Sequence, residues 1–336
     1  MTAGAVPSRL PNGLRALRSR DYRVFWGAAL VSSVGSHMQL AALGWVVALL
    51  TGSAAKVGLV AFATTVPLVL LSPVAGSLTD RIPRRRLLLA TLCLQTIQAT
   101  TLGVTWAAGV REYWLIVCLA LLGGVGTAFN GPVFQAFVPE LVPRADLPNA
   151  VMLNSAQFNV AKALGPMAAG VLLVNTVGAS WCFLANAVSF GAVMIAVAAI
   201  REGRHPPPVV AHDGFWRDFV EGARHVLGSP GLRTAIGMNC LIAAVGQPLV
   251  PLIPVVALRL YDADSVTYGV LAGALGVGAV LGAVVAGRLD GRWRPSRILA
   301  VGLLGYAAFT AFVAVAGSLG VGLVAVTGAG AGFLVI

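Results

Sequence analysis

Residues 57–108 read VGLVAFATTVPLVLLSPVAGSLTDRIPRRRLLLATLCLQTIQATTLGVTWAA. Two apolar runs, 57–78 and 87–108, flank a short loop carrying Arg81, Arg84, Arg85 and Arg86. A helix needs roughly 20 apolar residues to cross the hydrocarbon core of a bilayer. Each run meets that length, and the arginines between them fit the surface of a membrane rather than its interior. The pair therefore predicts two helices that cross a bilayer in opposite directions.

The rest of the chain repeats this pattern. Of 336 residues, 58% are hydrophobic and 10% charged. Soluble domains carry about 25% charged residues, so the solvent for this surface is lipid. Further apolar runs lie at 24–50, 113–134, 150–174, 179–200, 232–258, 266–286, 298–316 and 319–336, ten in all. The first run is too long for the apolar core of a secretory leader and reads as an uncleaved span. The polar stretch 201–231 contains Pro206, Pro207 and Pro208 and divides the chain. It is expected to be a cytosolic linker between a six-helix bundle at 1–200 and a second bundle at 232–336. Within it Phe215, Phe219, Ala223 and Val226 recur at helical spacing, which predicts a short amphipathic helix along the membrane surface.

The net charge is +11. Of the 23 Lys and Arg residues, nineteen fall in alternate gaps that share a side with the N-terminus. Lys56, Arg111 and Arg259 fall on the other side, and Lys162 lies within a span. This asymmetry predicts a cytosolic N-terminus. It also accounts for the basic charge without nucleic acid, which is excluded as a partner. Cys93, Cys118, Cys182 and Cys240 all sit within apolar runs and show no ligand spacing, so no metal site is expected.

The two halves are related. Gly35, Gly58 and Gly76 reappear as Gly246, Gly269 and Gly287 at an offset of 211, as do Leu78, Arg81 and Arg86 as Leu289, Arg292 and Arg297. Gly124, Gly126 and Phe129 match Gly328, Gly330 and Phe333 at an offset of 204. Repeated halves around a midplane site are a transporter plan. On that plan the second bundle is cut short, and about 70 further residues in two helices are expected beyond Ile336.

The loop GSLTDRIPRRR, Gly76 to Arg86, resembles the inner-loop signature of the major facilitator superfamily. The segments SRDYRVFW, LTGSAAKVGLVAFATTVP, VPELVPRADLPNAVMLNS and LANAVSF resemble the enterobactin-exporter branch of that superfamily. Gly165-Pro166-Met167-Ala168-Ala169-Gly170 resembles an exporter motif, with Ala169 in place of a glycine. The resemblance implies an all-α polytopic membrane protein with the major facilitator fold of two six-helix repeats. It implies alternating access, export of a siderophore- or drug-like small molecule, and a bacterial cytoplasmic membrane as the setting. Gly76, Asp80, Arg81, Arg84 and Arg85 would form a conformational latch, and Gly165, Pro166 and Gly170 the export motif. Physically, Gly76 permits a close helix approach, and Asp80 offers an acceptor to arginines and helix N-termini. In the second loop Gly291 replaces the aspartate, with Asp290 one residue early.

Polar residues within the spans are the candidates for a substrate or ion path. Ser32, Ser36 and Gln39 share one face of the first span, and Ser33 and His37 another. They could line a cavity or bond to neighbouring helices. His37 is the one histidine within a span, either a proton relay or a hydrogen-bonded structural residue. Lys162 lies mid-span, where a charge costs about 2.5–3.5 kcal/mol to insert. Ser155 and Asn159 share its face. The acidic residues lie at span ends or in loops, so no carboxylate in these spans is an evident partner. Lys162 is either a cavity charge, for an anionic or catechol-like substrate, or a structural residue. The span-eight glycines 269, 273, 276, 278 and 282 read as packing positions.

A polytopic membrane enzyme is the competing class, and an importer of the same superfamily a further one. No His-Glu-x-x-His occurs, and neither Lys56 nor Lys162 follows a glycine, so there is no phosphate-binding loop for ATP. No catalytic residues and no cofactor are expected. The expected partners are the bilayer, a small-molecule substrate and protons.

Overall fold

The computed structural model describes residues 12–175, 177–200, 249–289 and 293–335, with parts of 220–237. The amphipathic helix expected around Phe215 and Phe219 lies outside the described residues, as does most of the linker. Six helices form the first half: α1 (Arg20–Thr51), α2 (Ala54–Arg81), α3 (Arg84–Ala107), α4 (Tyr113–Leu141), α5 (Leu147–Leu172) and α6 (Gly178–Ala199). In the second half run α7 (Leu249–Tyr261), α8 (Ser265–Leu289), α9 (Pro295–Val315) and α10 (Leu319–Val335). The expected all-α, multi-span architecture is observed.

Helix ends follow local chemistry. The Ser19 hydroxyl accepts from the Tyr22 amide at the start of α1, and Gly52, at φ 59°, closes its far end in the left-handed region. The Asp264 carboxylate accepts from the Thr267 amide at 2.9 Å and starts α8. Hydrogen bonds from Thr267, side chain and backbone, hold that carboxyl below its usual range.

The polarity is inverted relative to a water-soluble protein. Val188, Ile195, Leu304 and Val315 are more than 70% exposed. Gln98 and Asn186, by contrast, are almost fully buried. Lipid accepts apolar side chains, so burial is reserved for groups that lipid rejects. Inside the first half, Asn186 donates to Gln39 (2.9 Å) and Gln39 donates to Gln98 (3.1 Å). Gln98 in turn donates to the Leu119 carbonyl at 3.1 Å. This amide chain ties α6, α1, α3 and α4 together.

Seven described helices are long and apolar enough to cross a membrane. α5 is not among them, although its run was read as a span. Asn154, Ser155, Gln157, Asn159 and Lys162 lower its apolarity. The fold compensates by packing α5 between α1 on one side and α8 of the second half on the other.

The repeat holds in three dimensions, with one change of register. α2 and α8 begin at Ala54 and Ser265, and α3 and α9 at Arg84 and Pro295, both pairs 211 apart. α4 and α10 begin at Tyr113 and Leu319, which are 206 apart. The packing agrees with 206. Gly124 lies against the Thr64 carbonyl and Gly126 against Gln95. Gly330 lies against the Leu275 carbonyl and Gly332 against Tyr306. Thr64 and Leu275, and Gln95 and Tyr306, are again 211 apart. The 204 register read from the sequence therefore shifts by two residues, because the glycine that meets the neighbouring backbone defines the match.

Candidate functional site

The halves meet at one end of the helices, the end opposite the arginine-rich loops. There the Tyr268 hydroxyl donates to the Ala41 carbonyl at 2.9 Å, and its ring stacks on Trp45 at 4.8 Å. The Arg259 guanidinium donates to the Gly52 carbonyl at 2.6 Å. Below these contacts α5 and α8 touch backbone to backbone. A β-carbon on Gly170 would lie 2.7 Å from the Gly269 Cα and 2.7 Å from the Ser265 carbonyl oxygen. Gly276 meets the backbone of Ala163. Further along, Val151, Met152 and Ser155 on α5 are exposed, as are Leu281, Val284 and Val285 on α8.

Lys162 adjoins the contact of Ala163 with Gly276. Its Nζ lies 4.7 Å from the ring centroid of Phe158, one turn earlier on α5, and 5.8 Å from that of Phe333 on α10. Among the described residues it meets no carboxylate. The His37 ring contacts Phe158 edge-on at 5.1 Å, and its Nδ1 lies 2.8 Å from the Ser33 carbonyl, which fixes Nδ1 as the donor. Asn159 donates to the Ser155 carbonyl at 3.0 Å, and the Ser155 hydroxyl donates to the Val151 carbonyl at 3.1 Å. The Asn159 Oδ1 is buried and accepts no hydrogen bond among the described residues.

The structure thus gathers Lys162, His37, Asn159 and Ser155 around Phe158. It separates Gln39 from them, turning its amide into the seam of α1, α3 and α6. Ser36 is half-buried on α1. Among the described residues no group of three His, Cys, Asp or Glu side chains comes together that could hold a metal.

The exporter-like motif has two faces. At Gly165 a β-carbon would meet the His37 Cβ and lie 2.8 Å from the Met38 amide nitrogen, so α1 crosses α5 there. Gly170 opens the opposite face to α8. Pro166, between them, exposes its carbonyl to Gly269. The glycine stripe of α8 divides likewise: Gly269, Gly273 and Gly276 meet α5, while Gly278 and Gly282 meet α10. All five are packing positions, as expected.

At the start of α3, Arg84 donates to the Ala136 carbonyl (3.0 Å) and pairs with Glu140 (2.9 Å) at the end of α4. Arg85 donates to the Ala198 carbonyl at the end of α6, 2.8 Å away. Both are favourable cations at helix C-termini. Arg81 is exposed. The Asp80 side chain lies outside the described residues. The close approach read at Gly76 is absent from this conformation: a β-carbon there would meet no described atom within 4 Å.

Two residues of the site escaped the sequence reading. Phe158 could have been found, since it lies four residues before Lys162 on one helix face. Phe333 had no local signal; it was noted only as a repeat match.

Comparison with known proteins is consistent with this geometry. The family model described as transmembrane secretion effector matches residues 12–336. The chain is 27% identical to a staphyloferrin A transporter of Staphylococcus aureus, over 78% of this chain and 66% of that protein. It is 28% identical to the multidrug efflux pump Tap of Mycolicibacterium fortuitum, over 66% and 56%. It is 22% identical to macrolide efflux protein A of Streptococcus pyogenes, over 79% and 66%. The chain thus spans between about half and two thirds of the length of these relatives. Among solved structures, it resembles a bacterial homologue of the human lysosomal transporter Spinster, inward-facing and unoccupied. That match has a TM-score of 0.72 at 16% identity, covering 99% of this chain and 74% of the other. A bacterial homologue of the iron transporter ferroportin, inward-facing, gives a TM-score of 0.63 at 15% identity, covering 94% and 81%.

Proposed function

We propose that this chain, which belongs to the transmembrane secretion effector family of the major facilitator superfamily, exports a siderophore- or drug-like small molecule across a bacterial cytoplasmic membrane. The observation that carries the reading is the junction of α5 and α8. From Gly170 to Ala163 the two backbones touch, and Lys162 lies beside the last of these contacts, over the Phe158 ring. On the alternating-access reading, contacts that close the face remote from the arginines leave the arginine-rich face as the open one. An organic anion entering from the arginine-rich side reaches the ammonium at the inner end of its route. Ser155 and Asn159 extend polarity along its route, and His37, packed on Phe158, is the nearest group able to exchange a proton. An ion gradient drives the cycle. Arg84 and Arg85 bind the loop to α4 and α6 and act as the latch on that face.

Counterflow in proteoliposomes tests transport itself. Vesicles preloaded with a substrate organic anion should accumulate the labelled compound transiently, without ATP. Uptake that only equilibrates passively would indicate a channel, and chemical conversion of the compound would indicate an enzyme.

Topology is testable separately. That nineteen of 23 basic residues fall on one side supports a cytosolic arginine-rich face. In a cysteine-free background, Lys56→Cys should react with an impermeant maleimide added to intact cells, and Ala211→Cys should not. The opposite pattern would invert the assignment.

A further inference from the structure

We infer that Phe333, supplied by the second half, determines the specificity of the Lys162 site, and that the site takes an organic anion borne on a flat aromatic ring. This rests on the reading of Lys162 as the substrate contact. The ammonium lies over two rings, Phe158 at 4.7 Å and Phe333 at 5.8 Å, and these come from opposite halves. Each ring is backed by another. Phe158, itself 50% exposed, meets His37 edge-on at 5.1 Å. Phe333 lies against Tyr306 at 5.8 Å, and Tyr306 is 7% exposed.

An ammonium carries three donors and no acceptor. Among the described residues it finds ring faces and no carboxylate. A ring attracts a cation more weakly than an anion does in the same low-dielectric setting. The charge is therefore left for an anion. The rings add stacking for a flat aromatic body in offset or edge-on contact. A hydrophilic polyanion would gain the same charge but would surrender its water to apolar ring faces. A ligand that touches both rings also bridges the two halves. Phe333 is separated from Lys162 by 171 positions, and it reaches the site because α10 packs on α8 while α8 packs on α5.

Binding of three probes to the purified, detergent-solubilised protein tests this. The probes are 2-naphthoate, cyclohexanecarboxylate and citrate. The wild-type protein should prefer 2-naphthoate. Phe333→Leu keeps apolar volume but removes the ring. It should weaken 2-naphthoate roughly threefold to tenfold and leave cyclohexanecarboxylate within about twofold. Phe333→Tyr keeps the ring and should keep 2-naphthoate binding, which separates loss of the ring from loss of folding. Equal weakening of both carboxylates by Phe333→Leu, no weakening of either, or a wild-type preference for citrate would overturn the aromatic assignment and leave Lys162 as an anion site. Lys162→Gln reports on the underlying reading: unchanged 2-naphthoate binding in that variant would remove both.

Discussion

Lys162→Ala is expected to lower export of an organic anion by roughly tenfold to a hundredfold while the protein still inserts. The size follows from the chemistry of the contact. A hydrogen bond to a charged group is worth about 1.5–3 kcal/mol, and each 1.4 kcal/mol is a factor of ten. Among the described residues the ammonium has no anion to lose, its partners there being the rings of Phe158 and Phe333. Its removal therefore leaves no unpaired carboxylate behind. Folding should improve slightly rather than fail, because a charge leaves the middle of a span. Lys162→Met retains the length of the side chain and controls for lost packing. Lys162→Arg should keep part of the activity, since charge survives while geometry changes. Export of a neutral compound should be affected far less than export of the anion. Wild-type anion export by both Lys162→Ala and Lys162→Met would make the residue structural.

Gly170→Val should be nearly as damaging, through a different step. A β-carbon at Gly170 would come within 2.7 Å of the Gly269 Cα and the Ser265 carbonyl oxygen, which are backbone atoms and cannot rotate away. Overpacking of this kind costs about 1–3 kcal/mol. On the alternating-access reading proposed above, this contact breaks when the face remote from the arginines opens, so the cost falls on the shut state. The population should shift towards the state open on that face by roughly five- to 150-fold. Ala41→Cys gives the readout. Its carbonyl accepts from Tyr268, and the residue is 8% exposed. Labelling from the remote face should be slow in the wild-type background and accelerate with Gly170→Val, while net transport falls. An unchanged labelling rate would show that the α5–α8 contact does not govern access.

The helices were legible because hydropathy is a local quantity. The run read at 57–78 became Ala54–Arg81, and that at 87–108 became Arg84–Ala107. A buried backbone in lipid must bond within its own segment, so an apolar run of sufficient length decides its structure without its neighbours. The repeat was legible for a related reason: a loop and a glycine kept at a fixed offset keep the same helix starts.

Which way each helix turns was not legible. Gln39 shares a face of α1 with Ser32 and Ser36, and nothing in the run distinguishes a cavity from the seam where Asn186 and Gln98 wait. The polar stripe of α5 makes it a poor span alone; α1 and α8 make it tenable. Gly170 is one glycine among 40 until Gly269 is seen against it. By itself the sequence determined that the chain is a set of membrane helices in two related halves, with a charge stranded at Lys162, because those properties depend on what each residue would meet in water or lipid. The tertiary structure alone decided that the charge lies between Phe158 and Phe333, and that the halves touch at the face remote from the arginines. Those facts depend on how helices are rotated and crossed, and that is fixed by the fit of side chains and bare backbone across distant parts of the chain.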